Sequence, residues 1–235
     1  NRKDIRNAVE AARAALGWST TAAHSRAQIL YFIGENLEYR SDEFARRLRE
    51  QTGETLASAH REVAASVERL FAFAGLADKY DGAVHNPPMR AVAAAMVEPL
   101  GVIGVVAPPS RPLLGSIALI APALAMGNTV VLVPSDRSPL SMTDFYQVLE
   151  TSDMPSGVVN IVTGDGRTGE ALVKHPDVNK IAFTGSTEVG RIIRRATAGS
   201  GKRLSLELGG KSPFVVFDDA DLDSVVEGVV DAIWF

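Results

Sequence analysis

The chain has 235 residues, 46% of them hydrophobic, with 24 Lys and Arg against 28 Asp and Glu, a net charge of −4 and no cysteine. That length and apolar fraction support a sizeable buried core and exclude a disordered or collagen-like chain. The empty cysteine count excludes a disulfide scaffold, a thiolate metal site and a thiol nucleophile from within this sequence, the scattered basic residues give no nucleic-acid footprint, and no apolar run is long enough for a membrane span.

Asn1 opens directly into a helical pattern and not a signal peptide, so the expectation is a soluble, cytoplasmic protein. Residues 1–88 read as a helical layer with equal numbers of acidic and basic residues, and residues 89–235 as an α/β region that carries the whole net charge. Ile5, Val9, Ala12 and Leu16 recur at helical spacing, as do Ile29, Phe32, Ile33 and Leu37. Ser41-Asp42-Glu43 signals a helix start and Gly53 a stop. Val63, Val67, Leu70, Phe71 and Ala74 mark a further amphipathic helix, ended by Asp81-Gly82, and Arg, Glu and Lys fill the outer faces. The histidines (His24, His60, His85, His175) lie far apart and show no metal-ligand spacing.

After Asn86-Pro87-Pro88 the texture changes. Strands are expected at Val102–Val106, Thr129–Val133, Val158–Val162, Lys180–Phe183, Leu204–Leu206 and Phe214–Phe217, with helices near 113–126, 140–151, 167–174, 187–198 and 221–233. Continuous Val/Ile/Leu runs suit strands covered on both faces, and their alternation with helices predicts an open, Rossmann-like parallel sheet flanked by helices. Residues 90–97 read as an extra strand, paired with the segment that follows Glu98-Pro99-Leu100-Gly101.

Ligands of open parallel sheets sit outside the carboxyl ends of the strands, so five corners carry the functional reading. Ala107–Pro112, with its three prolines, reads on its own as a stiff loop. Asp136, after Val133-Pro134-Ser135, suits either acceptance of ribose hydroxyls or capping of the next helix. Gly164, Gly166 and Gly169 let backbone approach a ligand but miss the strict G-x-G-x-x-G spacing. In Phe183-Thr184-Gly185-Ser186-Thr187, glycine allows a tight turn and a hydroxyl suits an N-cap, so the amides that follow suit a pyrophosphate or simply open a helix. Glu207, a carboxylate inside the apolar run Leu206–Leu208 and just before Gly209-Gly210, suits a general base or a structural ion pair.

Taken in order, Pro108–Pro112, Gly127–Pro134, Pro155–Gly164, Phe183–Gly190 and Leu206–Pro213 resemble the motifs of the aldehyde dehydrogenase superfamily. The resemblance covers the whole chain and about half of a family module. It implies an α/β Rossmann-like fold, oxidation of an aldehyde with NAD or NADP, and a site made by a cysteine nucleophile, a glutamate base and an asparagine that donates to the oxyanion. It puts Glu207 at the general-base position and Ser186 at the pyrophosphate. It puts Pro108, Ser135, Asp136, Gly164, Gly166, Phe183, Gly185, Val189, Leu208 and Gly209 at other cofactor positions. Asp136 disfavours a 2′-phosphate and so favours NAD.

The sequence also departs from the family. Ser110 stands at the oxyanion asparagine, Val133 at a lysine that binds ribose hydroxyls, and no cysteine is present. Loss of one oxyanion donor typically costs about 10²–10³ in rate. Missing sequence accounts for an absent cysteine but not for internal substitutions, so the expectation is an impaired or non-catalytic cofactor-binding half. It looks similar to the second module of tandem-module members, with a homo-oligomer or a companion aldehyde dehydrogenase module as partner and a β-hairpin near 90–106 taking part in assembly. Two alternatives stand beside it. One is part of an active NAD(P)-dependent aldehyde dehydrogenase acting on a small-molecule aldehyde. The other is a structural module that binds no cofactor.

Overall fold

A computed structural model describes residues 1–210 and 213–234. The helices α1 (Arg2–Ala14), α2 (Ala23–Tyr39), α3 (Ser41–Thr52) and α4 (Leu56–Ala77) come first, with a 3₁₀ turn at Leu16–Thr20. Gly53 stops α3 in the left-handed conformation, φ 75°, as its position in the sequence predicts. Helix α4 ends at Ala77, short of the expected stop at Asp81-Gly82.

Strands β1 (Ala83–His85) and β2 (Ala93–Ala95) form an antiparallel pair. Then β3 (Val102–Val106), α5 (Pro112–Ala125), β4 (Thr129–Val133), α6 (Leu140–Glu150), β5 (Val159–Ile161), α7 (Gly166–Lys174), β6 (Lys180–Gly185), α8 (Thr187–Ala196) and β7 (Arg203–Leu208) alternate, followed by α9 (Leu222–Trp234). The sheet is parallel, in the order β5-β4-β3-β6-β7. The α/β fold expected from the alternation is therefore the fold observed.

Two expectations fail. Residues 90–97 do not pair with 102–106, because both edges of β3 are taken by β4 and β6; β2 pairs with β1 instead. The hairpin is thus 83–95 and not 90–106. Phe214–Phe217 forms no strand among the described residues, and all four of its side chains are exposed.

The sheet is buried on both faces by residues that alternate along each strand. Ile103, Val105, Val130, Leu132 and Ala182 face a core built with α2, α3, α4, α5 and α6, which includes Leu30, Phe44, Leu70, Ile117 and Phe145. Val102, Val131, Val133, Ile181 and Phe183 face the other side, where Ile5 and Val9 of α1, Leu172 of α7 and Ile193 of α8 pack. So α1 crosses to the face opposite α2–α4.

Helix α1 approaches the start of β5 closely. Gly157 has φ 84°, and a Cβ placed there would lie 2.7 Å from the Ala11 carbonyl oxygen and 3.2 Å from the Ala15 Cβ. The left-handed conformation and the overpacking both penalise a side chain. Gly157→Ala is expected to destabilise the fold by about 2–5 kcal/mol, the sum of those two effects. Urea unfolding of the two chains checks this, and an unchanged midpoint would contradict the close approach.

Candidate functional site

From β3 the chain runs out through β4 to β5, then returns past β3 to β6 and β7. The connections that follow β3 and β6 therefore leave in opposite directions, although the two strands stay paired to Val106 and Phe183, and the crevice between those connections is where an open sheet binds ligands. A cleft of about 570 Å³ occupies that position. Val106 and Ala107 from β3, Val133–Arg137 from β4 and Phe183–Ser186 from β6 form its upper wall. Gly164–Gly166 and residues of α7 and α8 complete it.

The structure brings together Val133, Ser135, Asp136, Gly164, Gly166, Phe183, Gly185, Ser186 and Val189, all singled out in the sequence. Others stand outside the lining. Pro108 packs on α5, since a Cβ on Gly115 would fall 2.5 Å from its Cγ, while Pro109 takes the place at the cleft. Leu208 packs against Gly190 of α8, and the Gly209 carbonyl accepts from the Thr187 hydroxyl at 3.3 Å. Ser110 is exposed beside the start of α5.

Glu207 lies on β7, opposite Thr184 in register, and its side chain is exposed. The apolar surroundings expected from Leu206–Leu208 are not formed there, because β7 is the edge strand among the described residues. Lys211 and Ser212 of the same motif, and Phe235, lie outside the described residues.

Two helices, α7 and α8, begin at the cleft. The Asp165 carboxylate caps α7 by accepting from the Arg167 amide at 3.0 Å. The Ser186 hydroxyl caps α8 by accepting from the Val189 amide at 3.3 Å. The start of α8, capped by a neutral hydroxyl, carries partial positive charge and first-turn N–H groups, the chemistry that holds phosphate; at α7 the Asp165 carboxylate already meets that charge.

The alternative role of Asp136 as a helix cap is not used. Helix α6 has Pro139 at its N-cap with no side-chain cap, and the Leu140 amide donates to Oε1 of Gln51 on α3 at 3.0 Å. Asp136 is exposed and lines the cleft, so its carboxylate is available to accept hydroxyl donors from a ligand.

Sequence reasoning missed the lower half of the cleft: Val173 and Lys174 on α7, and Ile192, Ile193 and Ala196 on α8. Apolar residues at helical spacing read as core, and Ile193 is indeed core as well. Arg137 was also missed, although it directly follows Asp136 in the lining. Lys174 pairs with Glu170 across one turn of α7, both half-exposed, so that pair adds little stability.

Glu62 is a second miss. The helical pattern assigned charged side chains to outer faces, yet Glu62 on α4 is only 2% exposed. Its Oε1 accepts from the backbone amides of Leu113 at 2.9 Å and Leu114 at 3.2 Å, in the first turn of α5. Burial pushes its carboxyl above the usual carboxylate range, against the opposing pull of those two amides and, at longer range, of Arg111; Glu54 pushes the same way as burial. The N-cap of α5 is Arg111, held at φ 46° with no side-chain cap. For a non-glycine residue that conformation costs on the order of 1–3 kcal/mol and persists only where its surroundings enforce it.

A family model for the aldehyde dehydrogenase family matches residues 1–235. The chain belongs to the aldehyde dehydrogenase family. It is 42% identical over 244 residues to phenylacetaldehyde dehydrogenase of Pseudomonas fluorescens, covering 99% of this chain and 49% of that one. It is 38% identical over 239 residues to betaine aldehyde dehydrogenase of Bacillus subtilis (strain 168), covering 100% of this chain and 49% of that one. Among solved structures it is similar to an aldehyde dehydrogenase from Bacillus cereus in an NAD+ complex, with TM-score 0.89 and 34% identity, covering 100% of this chain and 49% of that one. The chain thus spans about half the length of the aldehyde dehydrogenases it matches. No helix among the described residues is long and apolar enough to cross a membrane.

Proposed function

We propose that the cleft binds a nicotinamide dinucleotide, with NAD+ preferred over NADP+, and that the chain is the cofactor-binding half of an aldehyde dehydrogenase module whose catalytic function is impaired. The observation that carries this reading is the meeting, at one 570 Å³ cleft, of the strand ends, the starts of α7 and α8, and the uncommitted carboxylate of Asp136. That arrangement fits a dinucleotide: amides for the pyrophosphate, a carboxylate for a ribose, and apolar walls from Val189, Ile192 and Phe183 for a ring. The NAD+ complex of the Bacillus cereus relative supports the same choice of ligand.

Each residue has a task in this reading. The amides after Ser186 would hold phosphate oxygens. Asp136 would accept from ribose hydroxyls and repel a 2′-phosphate. Bound NAD+ supplies a hydride acceptor. Glu207 would accept a proton from water, and the Ser110 hydroxyl would donate to an oxyanion. The impairment rests on Ser110, which offers a shorter donor than asparagine, and on Val133, which offers none.

Thermal unfolding with added cofactor tests the binding. A ligand selective for the native state stabilises it by about 2.7 kcal/mol at a hundred times its Kd. NAD+ is expected to raise Tm, and NADP+ to raise it less at equal concentration. An unchanged Tm with both at millimolar concentration would reject the reading in favour of a module that binds no cofactor.

A further inference from the structure

We propose that Glu62 is a positioning residue: it sets the corner Ala107–Pro112, and through it the placement of Pro109 on the wall of the cofactor cleft and of Ser110, the next residue along the corner. The inference rests on the proposed dinucleotide site for its consequence, but on geometry for its cause. The corner joins the central strand β3 to α5 and cannot cap that helix by itself. Pro112 has no N–H, and Arg111 has left-handed backbone and no side-chain cap. The next two amides, Leu113 and Leu114, are both taken by Glu62 Oε1 from beneath, from a different helix.

A carboxylate that is 2% exposed is expensive to bury unless its hydrogen bonds require it. A neutral apolar residue would fill a core position with less penalty. What Glu62 supplies that leucine cannot is a fixed acceptor for two adjacent amides, and hence a fixed start for α5. That start constrains Arg111, whose carbonyl accepts from the Gly115 amide at 2.7 Å. Pro108 lies on Gly115, where a Cβ would meet its Cγ at 2.5 Å and the Ser110 carbonyl oxygen at 3.4 Å. The corner is therefore clamped between Glu62 below and the α5 backbone beside it, with Pro109 on the cleft wall.

The empty cysteine count makes a direct test convenient. Ser110→Cys introduces a single thiol for a nitroxide label, and Ser156→Cys, at the amino end of β5, serves as a distant control. Three partner variants separate the roles. Glu62→Gln keeps the acceptor oxygen, Glu62→Asp keeps the charge but shortens the reach, and Glu62→Leu removes both. The label at 110 is expected to become mobile with Leu and Asp and to stay as in the parent with Gln, while the label at 156 is unmoved throughout. In the unlabelled chain, Kd for NAD+ is expected to rise by about three- to tenfold with Leu or Asp, because the competent corner is then only fractionally populated. Gln should stay within about twofold of the parent by the same relation.

A lower Tm with an unchanged label spectrum at 110 and an unchanged Kd would make Glu62 a stability cap only and overturn the proposal. If Glu62→Leu does not fold, Asp and Gln decide it alone: equal label mobility in the two overturns the proposal. Should the unsubstituted chain not bind NAD+, the dinucleotide reading fails, and the label spectra still judge the positioning.

Discussion

Replacing Val133 by lysine and Ser110 by asparagine is expected to tighten NAD+ binding by about ten- to a hundredfold, the range for one hydrogen bond from a charged donor. Val133 is the last residue of β4, pairs with Val106 in register and lines the cleft with only 4% exposure. A lysine there buries its stem where valine already sits and sends its ammonium into the cleft, toward the ribose hydroxyls. Asp136, three residues on, offsets the added charge. The lysine should carry most of the affinity. Asparagine at 110 lengthens the donor at the oxyanion position and should act mainly on rate in a protein that supplies a nucleophile. Titration calorimetry of the two single variants and the double variant checks this, and an affinity unmoved by lysine would mean that the end of β4 does not line a cofactor site.

The sheet was legible in the sequence because burial on both faces writes itself as continuous apolar runs. Val102–Val106 and Thr129–Val133 are strands at the predicted bounds. Partnership is not written in the same way. An apolar run such as Phe214–Phe217 has strand composition, but composition does not name a partner strand, and the run stays exposed. Residues 90–97 make the point from the other side, since the strand they were expected to join had no free edge.

The candidate site divides along a similar line. Strand-end residues were legible because the topology of a parallel sheet fixes where ligands sit before any distance is known. Val173 and Ile192 were not, because a helical residue that lines a groove and one that fills a core obey the same spacing. Asp136 had two readings, and the choice between them depended on Gln51, some eighty-five residues earlier, which serves the start of α6. Glu62 was hidden because its partners are backbone amides, which no residue pattern displays.

Phe145→Ala is expected to cost about 3–5 kcal/mol of stability while leaving NAD+ affinity of the folded protein unchanged. Phe145 is 1% exposed on α6. Ile33 of α2, Leu70 of α4, Ile117, Ile120 and Leu124 of α5 and Leu149 of α6 surround it. Truncation leaves a void walled by side chains from four helices, none of which can move in without breaking contact elsewhere, so the site should collapse poorly. For a chain of this size each kcal/mol lowers Tm by about 2–4 °C, so the loss is large in a thermal melt. The expected indifference of the cleft follows from the sheet. Phe145 belongs to the same core as Ile103, Val105, Val130 and Leu132, whereas the cleft is walled by Val106, Val133 and Phe183, the residues that point the other way. A pleated strand sends alternate side chains to opposite faces, so the face that stabilises the fold and the face that meets the ligand share a backbone but few contacts. Measuring Tm and Kd on the parent chain and on Phe145→Ala tests that separation. Loss of affinity in Phe145→Ala, at a temperature where it is fully folded, would show that the two faces are coupled through the strands.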